Sequence, residues 1–133
     1  MKPSEDLLSL AVEAKNSAIA PYSSFRVGAA VETKSGKTYH GCNIESSSYS
    51  LTCCAERLAL FKALSEGERE FVRMAIAADT EEFCTPCGAC RQVLWDYAPD
   101  LALLLINISG NVRQVALREL LPEAFDGRLL RTK

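Results

Sequence analysis

Apolar residues recur at Leu7, Leu10, Ala11, Ala14 and Ala18, the spacing of one face of an α-helix, and Pro21 stops the run. An amphipathic first helix is therefore predicted from Ser4 to about Ala20. The period then shortens. Over residues 26–34 the chain alternates, with Val27, Ala29 and Val31 on one face, and Ser35-Gly36-Lys37 turns it into a second strand ending near Cys42. These two runs predict a hairpin.

Asn43 to Thr52 is rich in serine and follows no period, which marks a surface loop; a helix follows from about Cys53 to Glu66, closed by Gly67. Two short unbroken apolar runs, Met74-Ala75-Ile76-Ala77-Ala78 and Leu101-Ala102-Leu103-Leu104-Leu105-Ile106, read as central strands covered on both faces. Between them Pro86 starts a helix that runs from Cys87 to about Tyr97. The tail holds a turn at Ser109-Gly110-Asn111, a short strand from Val112 to Ala116 and a brief helix before Pro122. The order α-β-β-α-β-α-β-β-α contains two strand-helix-strand crossovers, each expected to join parallel neighbours, after the initial hairpin. The expected fold is α/β: a three-layer α-β-α sandwich around a mixed five-stranded sheet.

A length of 133 residues suits a single domain spanning 1–133, and no repeat, linker or low-complexity run divides it. Hydrophobic residues at 48% and charged residues at 24% give the balance of a folded chain rather than a disordered one. The formal net charge of −2 provides no basic excess for a phosphate backbone, so no nucleic-acid polymer is expected as a partner. No apolar stretch approaches the roughly 20 residues that span a bilayer, and Met1-Lys2-Pro3-Ser4-Glu5-Asp6 places acids where a secretion signal carries bases. A cytoplasmic location and no membrane partner are expected. The six cysteines then read as reduced thiols and metal ligands rather than as three disulfides.

Cys54-Ala55-Glu56 and Pro86-Cys87-Gly88-Ala89-Cys90 carry the chemistry. Cys54, Cys87 and Cys90 are spaced for one zinc ion, with the Glu56 carboxylate two residues beyond the first thiol. Zinc prefers four tetrahedral ligands, so three protein ligands leave a corner for water, whose pKa the metal lowers to roughly 7. Both ligand groups fall where helices begin, and the dipole and free N–H groups there favour thiolate. Three thiolates on Zn²⁺ leave a net negative charge that makes such a water less acidic. At least one of Arg57 and Arg91 is expected to offset it by donating to sulfur. Glu56 is the acid–base candidate nearest the metal; His40, the only histidine, is given no role.

Other chemistries fit parts of this pattern. Cys84, Cys87 and Cys90 could begin an iron–sulfur site, and Cys87 with Cys90 alone could form a redox pair. A cluster wants a further cysteine downstream of Cys90, and a redox pair leaves Cys54-Ala55-Glu56 without a role. A non-enzymatic metal-binding module also stays open. Cys42, Cys53 and Cys84 read as small buried or half-buried thiols.

Gly41-Cys42-Asn43-Ile44-Glu45, Cys54-Ala55-Glu56-Arg57 and Pro86-Cys87-Gly88-Ala89-Cys90-Arg91-Gln92 together closely resemble the small cytidine deaminases of the zinc-dependent cytidine/deoxycytidylate deaminase family. Pro21-Tyr22-Ser23-Ser24-Phe25-Arg26-Val27-Gly28-Ala29 and Glu119-Leu120-Leu121-Pro122 with Phe125 match as well, so the resemblance covers nearly the whole chain. It implies one zinc per chain and hydrolytic deamination of cytidine and 2′-deoxycytidine to uridine and 2′-deoxyuridine, with release of ammonia, in pyrimidine salvage. Glu56 would move protons from the zinc-activated water to ring N3 and to the departing amine.

The resemblance also assigns the remaining roles. It selects Cys54 over Cys53, because the family places its ligand immediately before Ala-Glu, and helix neighbours point about 100° apart. Asn43 and Glu45 would hold the ribose hydroxyls, Phe25 would pack at the ring, and the Ala55 N–H would bond the pyrimidine O2. Small members of the family are homotetramers with active sites at subunit contacts, which implies that Phe125, and Tyr49 in the 46–50 loop, reach a neighbour's pocket. A deaminase of the same fold acting on another cytosine nucleoside, such as blasticidin S, is the nearer alternative, although Phe25, Asn43 and Glu45 favour an ordinary ribose. Polynucleotide editing is opposed by the acidic balance.

Overall fold

Leu7, Ala11 and Ala14 form the buried face of α1 (Pro3–Lys15), as their spacing predicts, but the helix ends at Lys15 rather than near Ala20. Asn16, Ser17 and Ala18 donate to the carbonyls of Glu13, Ala14 and Lys15, each three residues back, which tightens the last turn. Ile19 then leaves the helix altogether. Its N–H bonds the Asn43 carbonyl at 2.9 Å and its carbonyl accepts the Glu45 N–H at 2.9 Å, so pairing with 43–45 ends the helix before Pro21 can. The computed structural model describes residues 3–130; the two ends of the expected 1–133 domain lie outside the described residues.

The hairpin is β1 (Val27–Thr33) with β2 (Thr38–Cys42), antiparallel, with Ala29 opposite Gly41. After it come α2 (Ala55–Ser65), β3 (Phe71–Ala78), α3 (Gly88–Tyr97), β4 (Ala102–Ile106), β5 (Val112–Ala116) and α4 (Leu117–Leu120). The five strands form one mixed sheet in the order β2-β1-β3-β4-β5. Only one of the two expected parallel neighbour pairs exists: β3 and β4 are parallel partners, whereas β1 lies between β2 and β3 and runs antiparallel to both. The two small-residue faces of β1 explain the insertion, since a strand with short side chains on both sides suits the middle of a sheet.

Those faces separate the layers. Val27, Ala29 and Val31 join Ala55, Ala59 and Leu60 of α2 and Leu94 of α3 in one core. On the other side Ala30, with Ala75 and Ala77 of β3, meets Leu7 and Ala11 of α1. A three-layer α-β-α sandwich results. Two glycines let the helices close on the sheet: a Cβ on Gly28 would lie 2.1 Å from the Ala11 carbonyl oxygen, and one on Gly41 would lie 2.6 Å from Ala59 N and 2.7 Å from the Ala55 carbonyl oxygen. Among the described residues no helix is long and apolar enough to cross a membrane.

This topology places the functional elements. Helix α2 leads into β3 and α3 leads out of it, so both helix N-termini gather at the carboxyl end of that strand, the edge where α/β sheets bind ligands.

Candidate active site

Cys54 and Cys87 are the residues immediately before α2 and α3, in extended backbone, and neither thiol caps its own helix. Cys90 sits on the first turn of α3 and is buried. The three sulfurs lie within 4.8 Å of one another. Cys54 Sγ and Cys87 Sγ are 3.8 Å apart. Zinc–sulfur bonds of about 2.3 Å at the tetrahedral angle also put two sulfurs about 3.8 Å apart, so the donor set fits zinc. No fourth protein group joins this trio among the described residues, which leaves one corner of the tetrahedron for a non-protein ligand. Cys84 stays outside the trio, and burial, reinforced by the nearby Glu56, pushes its thiol up to about 11.

The Cys54 thiol is lowered to about 5, first by the hydrogen bond from Cys90 and then by Arg57, and the same Cys54–Cys90 bond, with burial, raises the Cys90 thiol. Metal binding displaces the proton shared by such a pair. Arg57 Nη2 donates to Cys54 Sγ at 3.6 Å and to the Thr52 carbonyl at 3.1 Å. Arg91 does not reach sulfur. Its guanidinium donates to the Pro86 carbonyl at 2.7 Å, the Thr85 hydroxyl at 3.0 Å and the Leu120 carbonyl at 3.0 Å, so it fixes the backbone before Cys87 and ties it to α4.

Glu56 occupies the first turn of α2 and is 4% exposed. Burial pushes its carboxyl up to about 7; its own backbone N–H opposes this, the Cys54 thiolate adds to it, and Arg57 pulls it back. A carboxyl group that changes charge near neutrality can accept a proton and return it.

Glu56, Cys54 and Cys87 line a cavity of about 270 Å³ whose other walls include Phe25, Asn43, Glu45 and Ala55. Asn43 is nearly buried and clamps the entry to β1, accepting the Val27 N–H at 2.9 Å and donating to the Phe25 carbonyl at 2.7 Å. One amide hydrogen and one lone pair of Asn43 stay free. Glu45 Oε1 accepts the N–H groups of Tyr22 at 2.9 Å and Ser23 at 3.2 Å, while Oε2 accepts the Ser23 hydroxyl. Those bonds, that of the hydroxyl first, hold its carboxyl below the ordinary range. Phe25 is 39% exposed.

Tyr49 and Phe125 are not brought to this cavity. Tyr49 is 75% exposed and meets Tyr22 edge to face, 6.0 Å between ring centres, in an adjoining cavity of about 370 Å³ that shares Ser23, Glu45 and Thr52 with the first. Phe125 is exposed, with its carbonyl held by Gln92. His40 is exposed and stands apart from the trio. Sequence reasoning did not single out Ser23, Thr52 or Thr85, which also line the cavity. Serine and threonine in loops give no periodic signal, and only the 21–29 run held a hint for Ser23.

Three thiols that leave one tetrahedral corner open, beside a carboxyl group titrating near neutrality, define a metal-dependent hydrolytic enzyme. The family described as "Cytidine and deoxycytidylate deaminase zinc-binding region" matches residues 1–102. A cytidine deaminase from Halalkalibacterium halodurans is 49% identical over 120 residues, covering 90% of this chain and 91% of that protein. The crystal structure of cytidine deaminase from Burkholderia pseudomallei superposes with a TM-score of 0.90 at 47% identity, covering 94% of this chain and all of that one. A more distant relative, blasticidin-S deaminase from Bacillus cereus, is 35% identical over 104 residues, 72% of this chain and 74% of its own. The chain belongs to the cytidine and deoxycytidylate deaminase family of zinc-dependent hydrolases.

Proposed function

We propose that this protein deaminates cytidine and 2′-deoxycytidine to uridine and 2′-deoxyuridine, releasing ammonia, in pyrimidine salvage. The observation that carries this reading is the buried Glu56 carboxyl in a cavity that also presents Cys54 and Cys87 of the thiol trio. Zinc held by Cys54, Cys87 and Cys90 would act as a Lewis acid that lowers the pKa of water, though less far than the roughly 7 of a site with neutral ligands, because three thiolates surround it.

Glu56 takes a proton from the water that attacks C4 and gives it to ring N3; it then takes the second proton from the new C4 hydroxyl and passes it to the amine, which departs as ammonia while the C4 carbonyl forms. Arg57 offsets part of the negative charge that three thiolates bring to the site. The Ala55 N–H, on the first turn of α2 where no helical carbonyl is available to it, is assigned to the pyrimidine O2. Phe25 packs at the ring. Asn43 and Glu45 take the sugar hydroxyls through the positions their backbone bonds leave free.

An uncharged nucleoside suits this cavity better than a nucleotide. Among the described residues no lysine or arginine lines it, and Glu45 keeps its negative charge there. The exposure of Tyr49 and Phe125, aromatic rings that among the described residues meet no other ring but that of Tyr22, supports a homotetramer in which they close a neighbour's pocket. We further assign the chain one catalytic domain over 1–133 and a cytoplasmic location.

One assay tests the reading. Purified protein is expected to consume cytidine, with loss of cytosine absorbance and stoichiometric ammonia, at a kcat/KM well above those for deoxycytidylate and blasticidin S. A preference for blasticidin S, or no turnover of any nucleoside, contradicts it. Light scattering that finds a fully active monomer contradicts the tetramer.

A further inference from the structure

The loop that forms one wall of the cavity carries a hydroxyl group with two partners. Ser23 Oγ donates to Glu45 Oε2 and accepts the Phe25 N–H at 3.0 Å. The Ser23 and Tyr22 N–H groups bond the other Glu45 oxygen. Three of the roughly four acceptor positions of the carboxylate are thus filled by one turn, which leaves a single position on Oε2. Between Ser23 and Phe25, Ser24 adopts φ 58°, a left-handed conformation that a serine adopts at some cost and that the bond from Phe25 N–H to Ser23 Oγ spans.

We propose that Ser23 is a positioning residue for the substrate's sugar, acting through Glu45, whose one free acceptor position it orients. The inference rests on the reading of this cavity as a nucleoside site. A free glutamate has several torsions to immobilise when it accepts a hydrogen bond from a hydroxyl; a clamped one has already lost them, so ligand binding is not charged for that ordering. The bond from the Ser23 hydroxyl is charge-assisted and is also the leading cause of the lowered carboxyl pKa of Glu45. Ser23 is exposed and no core packing depends on it, so its removal acts on the clamp rather than on folding.

The test compares kcat/KM of the wild type, Ser23→Ala and Ser23→Thr on cytidine and on 2′,3′-dideoxycytidine, which lacks the hydroxyls that Glu45 would hold. Ser23→Ala is expected to lose about tenfold on cytidine, the scale of one hydrogen bond to a charged group, and less than about twofold on the dideoxy substrate. Ser23→Thr restores cytidine turnover. An equal loss on both substrates, or no loss on cytidine, overturns the proposal. A wild type inactive on cytidine overturns the nucleoside reading itself. The clamp is then judged separately by ¹³C NMR of the Glu45 carboxyl, whose pKa rises in Ser23→Ala if the clamp exists and is unchanged if it does not.

Discussion

Glu56 and Arg57 are neighbours on one helical turn whose charges act in opposite directions on the same site. Burial pushes the Glu56 carboxyl up to about 7, while Arg57, second to the Cys90 hydrogen bond, pulls the Cys54 thiol down. Glu56→Gln preserves shape and hydrogen-bonding capacity but carries no transferable proton. It is expected to keep about one zinc per chain and to lose at least 10²–10⁴-fold in kcat; a variant with near-native turnover contradicts the role given to Glu56. The two arginines separate in the same way. Arg57→Gln is expected to weaken zinc retention or activity about 10–100-fold in chelator competition and turnover assays. Arg91→Ala removes donors from Pro86, Thr85 and Leu120 and is expected to lower the denaturation midpoint by the equivalent of about 1–3 kcal/mol. Which arginine meets sulfur was not readable from spacing: Arg57 and Arg91 each lie one helical turn beyond a cysteine, Cys54 and Cys87, and it is the Pro86 and Leu120 carbonyls and the Thr85 hydroxyl that take up Arg91.

At the scale of elements, patterns local to one segment, the hairpin and the parallel β3–β4 pair read correctly, whereas the expected pairing of β2 with β3 did not. The hairpin, the starts of α2 and α3 and the buried runs at β3 and β4 follow from period and punctuation. The end of α1 does not, because Ile19 is drawn out by Asn43 and Glu45, far along the chain. The insertion of β1 between β2 and β3 likewise depends on what each strand face meets. Site residues divide along the same line: Cys54, Cys87, Cys90 and Glu56 stand in compact motifs, whereas the bonds of Glu45 to Ser23 join separate loops. Gly41 shows how an element supports the site, since it lets α2 lie against β2. Gly41→Ala is expected to cost about 1–3 kcal/mol and also to reduce turnover, because the displaced backbone at Ala55 lies between Cys54 and Glu56. Gly28→Ala crowds α1 instead, and is expected to lower stability with far less effect on kcat. Equal effects of the two on kcat contradict this division.

Across the whole molecule, Asp79 ties three elements at the end of β3. Its carboxylate pairs with Lys15 of α1 at 2.6 Å and with Arg26, just before β1, at 2.8 Å. The Lys15 bond, then Arg26, hold its pKa below the ordinary 3.8. The folded chain therefore binds fewer protons here than the unfolded one around that value. The stabilisation is complete above the ordinary pKa and is lost as pH falls through the lowered one. Asp79→Asn is expected to be less stable than wild type at neutral pH and to approach it on acidification; a stability difference independent of pH contradicts this.

The central claim is that three thiolates from the starts of two helices hold one ion and leave it a coordination position open to water. X-ray absorption at the zinc edge of the purified protein reads that position directly. Three sulfur neighbours at about 2.3 Å and one oxygen or nitrogen at about 2.0–2.2 Å are expected. Four sulfur neighbours, or protein that binds no zinc, would contradict the account.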